Sequence, residues 1–334
     1  MMERYSRQML FDPIGEIGQN QISSTRILLV GAGALGSANA EMLVRAGVKE
    51  ITIIDRDYVD YSNLQRQQLY SERDVEDHLP KAIAAEKRLS QINSHVKITG
   101  VVDDFSAHNA EKLVSHVDLI IDGTDNFETR FLINDLAIKK EIPWIYGGCV
   151  GSYGMTFAII PGKTPCLHCL LKELPLQGVT CETRGVISPV VQVVAAHQAT
   201  LALKWMVGER IDSTITSFDL WSNQNTSMHF DSFKDEHCET CGRTPTYPYL
   251  QGEQTSKTAV LCGRDTVQIR SNPLPLQTIA KRIKPHVHKL IINDYLLSFS
   301  TDTYRIVLFQ DGRALIHGTK NIHEAKTFYH KWIG

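Results

Sequence analysis

Three groups of residues in this chain have types and spacings suited to chemistry. Gly31, Gly33 and Gly36 form a Gly-x-Gly-x-x-Gly pattern directly after the apolar run Arg26–Val30. Glycines at that spacing let the backbone approach a phosphate closely, and a helix opening there presents unpaired N–H groups and the positive end of its dipole to an anion. Asp55, 24 positions after Gly31, is placed to accept hydrogen bonds from ribose hydroxyls. A dense polar run follows, with Asp57, Ser62, Asn63 and Arg66, and then Lys81 after Pro80. A hydride-transfer site wants an apolar slot for nicotinamide, whereas two cations and an amide suit a triphosphate whose transferring phosphorus must have its charge neutralised. Taken singly, Arg66 and Lys81 read equally well as solvated surface charges. Asp125 and Asn126 follow another apolar run, at the carboxyl edge where such sheets bind ligands, and Asp125 there could hold Mg²⁺. Asp122 reads as a structural end to that strand.

The second group is Cys166-x-x-Cys169 and Cys238-x-x-Cys241, separated by 68 residues. Each pair can chelate, and two pairs make a tetrahedral Cys₄ site for Zn²⁺. A redox dithiol is the competing reading, but neither pair opens the helix of a thioredoxin-like unit. The third is Cys181, near Arg184, which could be a partly ionised nucleophile or a small half-buried residue. Residue type alone favours the second. Cys149 and Cys262 suggest packing only, and His197 reads as a satisfied core histidine.

The elements that must position these residues are legible from periodicity. Arg26–Val30, 51–54, 96–102, 117–121 and 144–148 read as strands, alternating with helix-length segments such as 81–92 and 129–140. That alternation predicts α/β architecture, a doubly wound, Rossmann-like, mostly parallel sheet. Residues 153–160 extend it, and 188–207 read as a long helix with apolar residues on most faces, which implies burial. Residues 1–245 form one expected domain and 246–260, rich in turn formers, a linker. In the small C-terminal α+β domain, 261–334, residues 265–270 and 304–309 read as strands, 276–283 and 322–332 as helices, and Asp311-Gly312 as a turn.

Composition bounds the function classes. The 334 residues are 43% hydrophobic and 22% charged, with a formal charge of -2. No excess of positive charge exists to displace counterions from nucleic acid, and no apolar run approaches the ~18 residues of a membrane span. The N-terminus has neither a basic nor an apolar signal region, so a cytoplasmic location is expected.

Arg4-Tyr5-Ser6-Arg7-Gln8, the GAGALG of 31–36, Asp55-x-Asp57, the SNLQRQ of 62–67, Lys81, Thr124-Asp125-Asn126, both cysteine pairs and Thr180-Cys181-x-x-x-Gly185-Val186 occur in this order. Together they resemble the ThiF/MoeB family of adenylyltransferases, over about residues 3–245. The resemblance implies an ATP- and Mg²⁺-dependent homodimer that adenylates the C-terminal glycine of a small ubiquitin-like sulfur carrier protein ending in Gly-Gly and releases pyrophosphate. It assigns Gly31, Gly33, Ala34 and Gly36 to the phosphate turn, with Ala34 standing where the family commonly has a further glycine. Asp55 is assigned to the ribose, and Asp57 and Ser62 fall within the same nucleotide-binding motifs. Asn63, Arg66 and Lys81 are assigned to the phosphates, Asp125 to Mg²⁺ with Asn126 beside it, and Arg7 to the partner subunit's site as an arginine finger. The four paired cysteines match the family's zinc ligands, and Cys181 matches a thiol that some members link covalently to the carrier. The favoured carrier is that of molybdenum cofactor synthesis, a MoaD-like protein; the alternative is a ThiS-like carrier in thiamine thiazole synthesis. More distant readings are an NAD-dependent oxidoreductase and a non-catalytic nucleotide-binding module.

Overall fold

The computed structural model describes residues 2–173, 185–251, 258–261, 265–287 and 289–333. The chain divides into two compact units, Met1–Glu253 and Gln254–Gly334.

The first unit is built on eight strands: β1 (Arg26–Val30), β2 (Glu50–Ile54), β3 (Lys97–Val101), β4 (Leu119–Asp122), β5 (Trp144–Val150), β6 (Tyr153–Ile159), β7 (Thr214–Asp219) and β8 (Gln224–His229). Their order is β3-β2-β1-β4-β5-β6-β7-β8. The first five in that order are parallel, and β6, β7 and β8 continue antiparallel. Chain progress reverses between β1 and β4, so right-handed crossovers send the helix after β1 and the helix after β4 to opposite faces. Both faces of the central strands are thereby covered, which is why Ile27, Leu28, Leu29 and Val30 are all buried in one unbroken apolar run. On one side Leu28, Val30, Ile120, Trp144 and Phe157 pack with Ile133 and Leu136 of the Phe127–Lys139 helix. The Ala34–Ala46 and Ser188–Met206 helices meet at Leu35, Ala38, Val190, Val191 and Val194.

The doubly wound reading of the sequence holds. The Ser188–Met206 helix is buried along Val190, Val191, Val194, Ala195, Gln198, Ala199, Ala202 and Met206, not on most faces. His197 is on its exposed side, with its ring 5.4 Å from that of Phe218; the buried polar residue there is its neighbour Gln198. β7 and β8 went unread because β8, Gln-Asn-Thr-Ser-Met-His, is an edge strand exposed at every position and has no apolar alternation. Of the segment read as a linker, Tyr249 packs against the first unit: its N–H donates to Asp135 (2.8 Å) and its ring stacks on Phe131.

The second unit is a six-stranded antiparallel sheet of β9 (Thr258–Leu261), β10 (Thr266–Arg270), β11 (Lys289–Ile292), β12 (Leu296–Ser300), β13 (Arg305–Phe309) and β14 (Arg313–His317). Its order is β11-β12-β13-β14-β10-β9. Val267, Ile269, Leu297, Phe299, Ile306 and Leu308 pack with Ile279 and Ile283 of the Leu276–Ile283 helix and with Ala325 and Tyr329 of the Ile322–Trp332 helix. Gly312, at φ +91°, turns β13 into β14 where other residues would be strained. Among the described residues no helix is long and apolar enough to cross a membrane.

Candidate active site

The carboxyl ends of β1, β2 and β4 converge. Gly31, at φ +89°, leaves β1 with its N–H bonded to the Ile54 carbonyl (2.8 Å). It packs against the start of the loop after β4: a Cβ on Gly31 would come within 2.6 Å of the Gly123 carbonyl oxygen, and a Cβ on Gly36 would run into Gly31's own carbonyl. Gly33 is different. Its φ is an ordinary -73°, and a Cβ there would meet nothing closer than Gly123 O at 3.9 Å. Packing does not require glycine at 33, and the open backbone there, at the start of the Ala34–Ala46 helix, leaves room for a ligand to approach. Ala34 opens that helix, and its methyl packs beside the Val190 cluster.

Asp55 leaves β2 and accepts from the Ala32 N–H (2.6 Å) and the Asp57 N–H (2.7 Å). Burial pushes its carboxyl above the usual carboxylate range; Lys81 opposes the shift and Asp57 adds to it. Lys81, 4% exposed, points its ammonium at Asp57 (3.2 Å), and its backbone N–H donates to the Asp57 carbonyl. Tyr70, a residue that no sequence motif singles out, ties these parts together. Its buried hydroxyl donates to the Ala32 carbonyl (2.6 Å) and lies 3.3 Å from the Lys81 carbonyl. Burial and the neighbouring carboxylates push its pKa well up, so it remains a donor.

Asn63, fully buried, accepts from the Asp60 N–H through its Oδ1, while its Nδ2 has no partner among the described residues. Four residues on, buried Gln67 has an unpartnered Oε1. An unpaired buried donor is costly unless something outside the chain accepts from it. Ser62 is exposed and donates to Asp60, and half-exposed Arg66 donates to the Ser62 carbonyl (2.9 Å). Arg56 sits among the carboxylates of Asp104, Asp57, Asp125 and Asp55; burial lowers its pKa, but their fields together more than offset that and hold it firmly charged.

Asp125 is exposed in the loop after β4, with Asn126 Nδ2 at 3.5 Å. Asn126 also caps the Phe127–Lys139 helix by accepting from the Thr129 N–H (2.8 Å). The loop is held from beneath by Arg130, whose Nε donates to Asp122 (2.9 Å) and whose Nη2 donates to the Thr124 and Gly147 carbonyls (2.9 and 2.8 Å). Asp122 is therefore structural, as expected, but as half of a buried ion pair and not as a bare strand end. Gln198 adds a bond from its amide to the Asp122 carbonyl and accepts from Asn39. Arg7 is exposed on the Ser6–Met9 helix, and among the described residues no contact joins it to this site. Cys181 lies outside the described residues; next to that segment, Gly185 and Ile187 pair with Gly151.

Cys166, Cys169, Cys238 and Cys241 come together with all four sulfurs within 4.8 Å of one another. The Sγ separations of 3.9, 3.6 and 3.4 Å for 166–169, 166–238 and 169–241 bracket the ~3.8 Å edge of a tetrahedron with 2.3 Å metal–sulfur bonds. Hydrogen bonding from Cys166 brings Cys169 down to about 7 and drives Cys238 far lower, while Cys169 pushes Cys166 up in return. Thiols this close share protons, and a divalent cation resolves the crowding. The cluster can hold a metal. Beside it, Thr240 donates to buried Asp135 (2.6 Å) and pairs with His168, whose ring stacks on Phe131. None of these supporting residues had a sequence signal.

With this geometry in hand, comparison with known proteins decides the family. The model of the ThiF family matches residues 5–241. The chain belongs to the ThiF family. Its similarity to the sulfur carrier protein ThiS adenylyltransferase of Bacillus subtilis is 52% identity over 337 residues, covering all of both chains. To the molybdopterin-synthase adenylyltransferase of Escherichia coli it is 32% over 245 residues, 72% of this chain and 97% of that one. The fold of this ThiF-family protein also resembles a crystal structure of E. coli MccB with ATP, at a TM-score of 0.62 and 22% identity, covering 72% and 73% of the two chains. Both curated relatives are named adenylyltransferases, and this chain is an enzyme of that class.

Proposed function

We propose that this protein adenylates the C-terminal carboxylate of a small sulfur carrier protein with ATP, and that the carrier is the ThiS-like one of thiazole synthesis. The observation that carries the adenylation reading is the cradle at Gly33, open to a ligand at a helix start, with the Lys81 backbone tied to the same turn through the Tyr70 hydroxyl. The full-length relative at 52% identity, a ThiS adenylyltransferase, supports the ThiS-like carrier over the molybdopterin carrier favoured from sequence.

In the reaction a carboxylate oxygen of the carrier attacks the α-phosphorus of ATP. A P–O bond forms, the bond to the β-phosphate's bridging oxygen breaks, and pyrophosphate leaves. The nucleophile is already ionised at pH 7, so no general base is needed; what must be overcome is repulsion between anions. The cradle N–H groups, Arg66, Lys81 and Asn63 are assigned to the phosphates, with Lys81 held by Asp57. Asp55 keeps lone pairs for ribose hydroxyls beyond those used by Ala32 and Asp57. Asp125 would hold Mg²⁺, which shields the triphosphate and orients it. Arg7 reaches the site of the partner subunit in a homodimer. The four cysteines would hold Zn²⁺, which would supply a structural cross-link between the two Cys-x-x-Cys turns.

ATP–pyrophosphate exchange tests the proposal. Exchange that depends on a ThiS-like carrier, and is much weaker with a MoaD-like one, is the expected result. The reverse preference would move the enzyme to the molybdenum cofactor pathway, and NADH binding with no exchange would end the adenylation reading.

A further inference from the structure

We propose that the Gln254–Gly334 unit carries a docking surface for an acidic face of the carrier protein, an inference that rests on the carrier adenylation proposed above. The chain's charge is divided unevenly. Twelve of its 35 Lys and Arg but only five of its 37 Asp and Glu fall in this unit, leaving formal charges of about +7 here and -9 on the first unit. Between Asp265 and Asp294 there is no acidic residue at all.

The excess is concentrated. Lys281, Arg282, Lys284, His286 and Lys289 are all exposed within nine residues, running from the end of the Leu276–Ile283 helix to the start of β11. Arg282 donates to the Trp332 and Ile333 carbonyls (2.8 and 3.1 Å), which brings exposed Lys331 at the end of the second helix beside the run. Arg282 has a structural task. The side chains of Lys281, Lys284 and Lys289 make no hydrogen bond or ion pair with any described residue, so their charge is available to a molecule outside the chain.

The occupant follows from the reaction. A substrate whose reacting end is a carboxylate must approach a first unit with a formal charge of about -9, and a basic surface on the same chain raises encounter rates by attracting carboxylates elsewhere on that substrate. Nucleic acid fits less well. The run from Lys281 to Lys289 contains no Phe, Tyr or Trp for base stacking, and the formal charge of the first unit opposes a polyanion.

The test is the full-length triple variant Lys281→Glu, Lys284→Glu, Lys289→Glu in carrier-dependent exchange at low salt. The expected result is a KM for the carrier raised about tenfold or more. The KM for ATP, kcat at saturating carrier and the melting temperature stay as in the wild type, and added salt weakens the wild type toward the variant. If the charge reversal lowers the melting temperature, the Lys→Gln triple replaces it, with a smaller rise of about threefold expected. A carrier KM within the error of the wild type, in a folded variant, overturns the docking surface, as does tight wild-type binding of a fluorescent 20-nucleotide RNA with no change in carrier KM. Absence of exchange in the wild type with every carrier would instead remove the adenylation reading, and this inference with it.

Discussion

Tyr70 and Arg130 both donate to backbone carbonyls at the site, and Arg130 pairs with Asp122 as well, so one substitution tests positioning and the other folding. Tyr70→Phe deletes one hydroxyl that holds the Ala32 peptide from the side opposite Asp55. A neutral hydrogen bond is worth about 0.5–1.5 kcal/mol, so the KM for ATP should rise about two- to tenfold while the KM for the carrier stays put. Steady-state exchange kinetics with each substrate varied in turn check this, and equal rises in both would argue for general loosening. Arg130→Met leaves Asp122 buried and unpaired, at a cost of about 3–5 kcal/mol. Its melting temperature, followed by circular dichroism, should fall sharply, with exchange lost as the Asp125 loop loses its anchor on the Thr124 and Gly147 carbonyls. Asp125→Ala removes no packing, because the side chain is exposed. It should fold normally and lose about 10²-fold in exchange rate, the size of one preorganised contact to developing charge; a near-wild-type rate would exclude Asp125 from the site.

The Phe127–Lys139 helix joins both ends of the chemistry. Asn126 caps its start beside Asp125, and Asp135, two turns later, accepts from Thr240 inside the Cys238–Cys241 turn. Cys166→Ser, or stripping the metal with a chelator, should therefore lower the melting temperature first, on the order of 10 °C for several kcal/mol of lost folding energy in a unit of this size. Activity should decline only as the helix loosens. Thermal melts set beside exchange rates test that order, and metal analysis finding no zinc in fresh protein would refute it. Periodicity made this helix, the strands before it and both cysteine pairs legible in the sequence, since parallel strands buried on two faces and chelating pairs each leave a local pattern. What it could not reveal was cooperation over distance. Tyr70, Arg130, Gln198 and Thr240 act on partners 17 to 105 positions away, and a lone Tyr, Arg, Gln or Thr carries no spacing that announces such a partner. Of the second unit's six strands, β10 and β13 were legible in the sequence, and β9, β11, β12 and β14 were not.

At the scale of the whole molecule, the role proposed for Arg7 calls for a second subunit. Arg7 lies exposed on a four-residue helix, with no contact to the other assigned residues among the described residues, and the apolar side chains of Leu10, Phe11 and Ile17 nearby are 71%, 61% and 78% exposed. Large apolar residues clustered in the open are what a subunit interface covers. If two copies pair there and each lends Arg7 to the other's site, two defective variants should repair one another. In a heterodimer of Arg7→Ala with Asp125→Ala, one site has both lesions and the other has neither. Random reassortment makes about half of all dimers heterodimers and restores about a quarter of the sites, so the mixture should regain about a quarter of wild-type exchange from two nearly inactive parents. Co-expression with different affinity tags, followed by exchange assays on the doubly purified heterodimer, measures this directly. Full repair of one site in that heterodimer requires Arg7 to act across the interface, whereas an Arg7 that served its own subunit would leave each site with one lesion and the mixture as inactive as its parents.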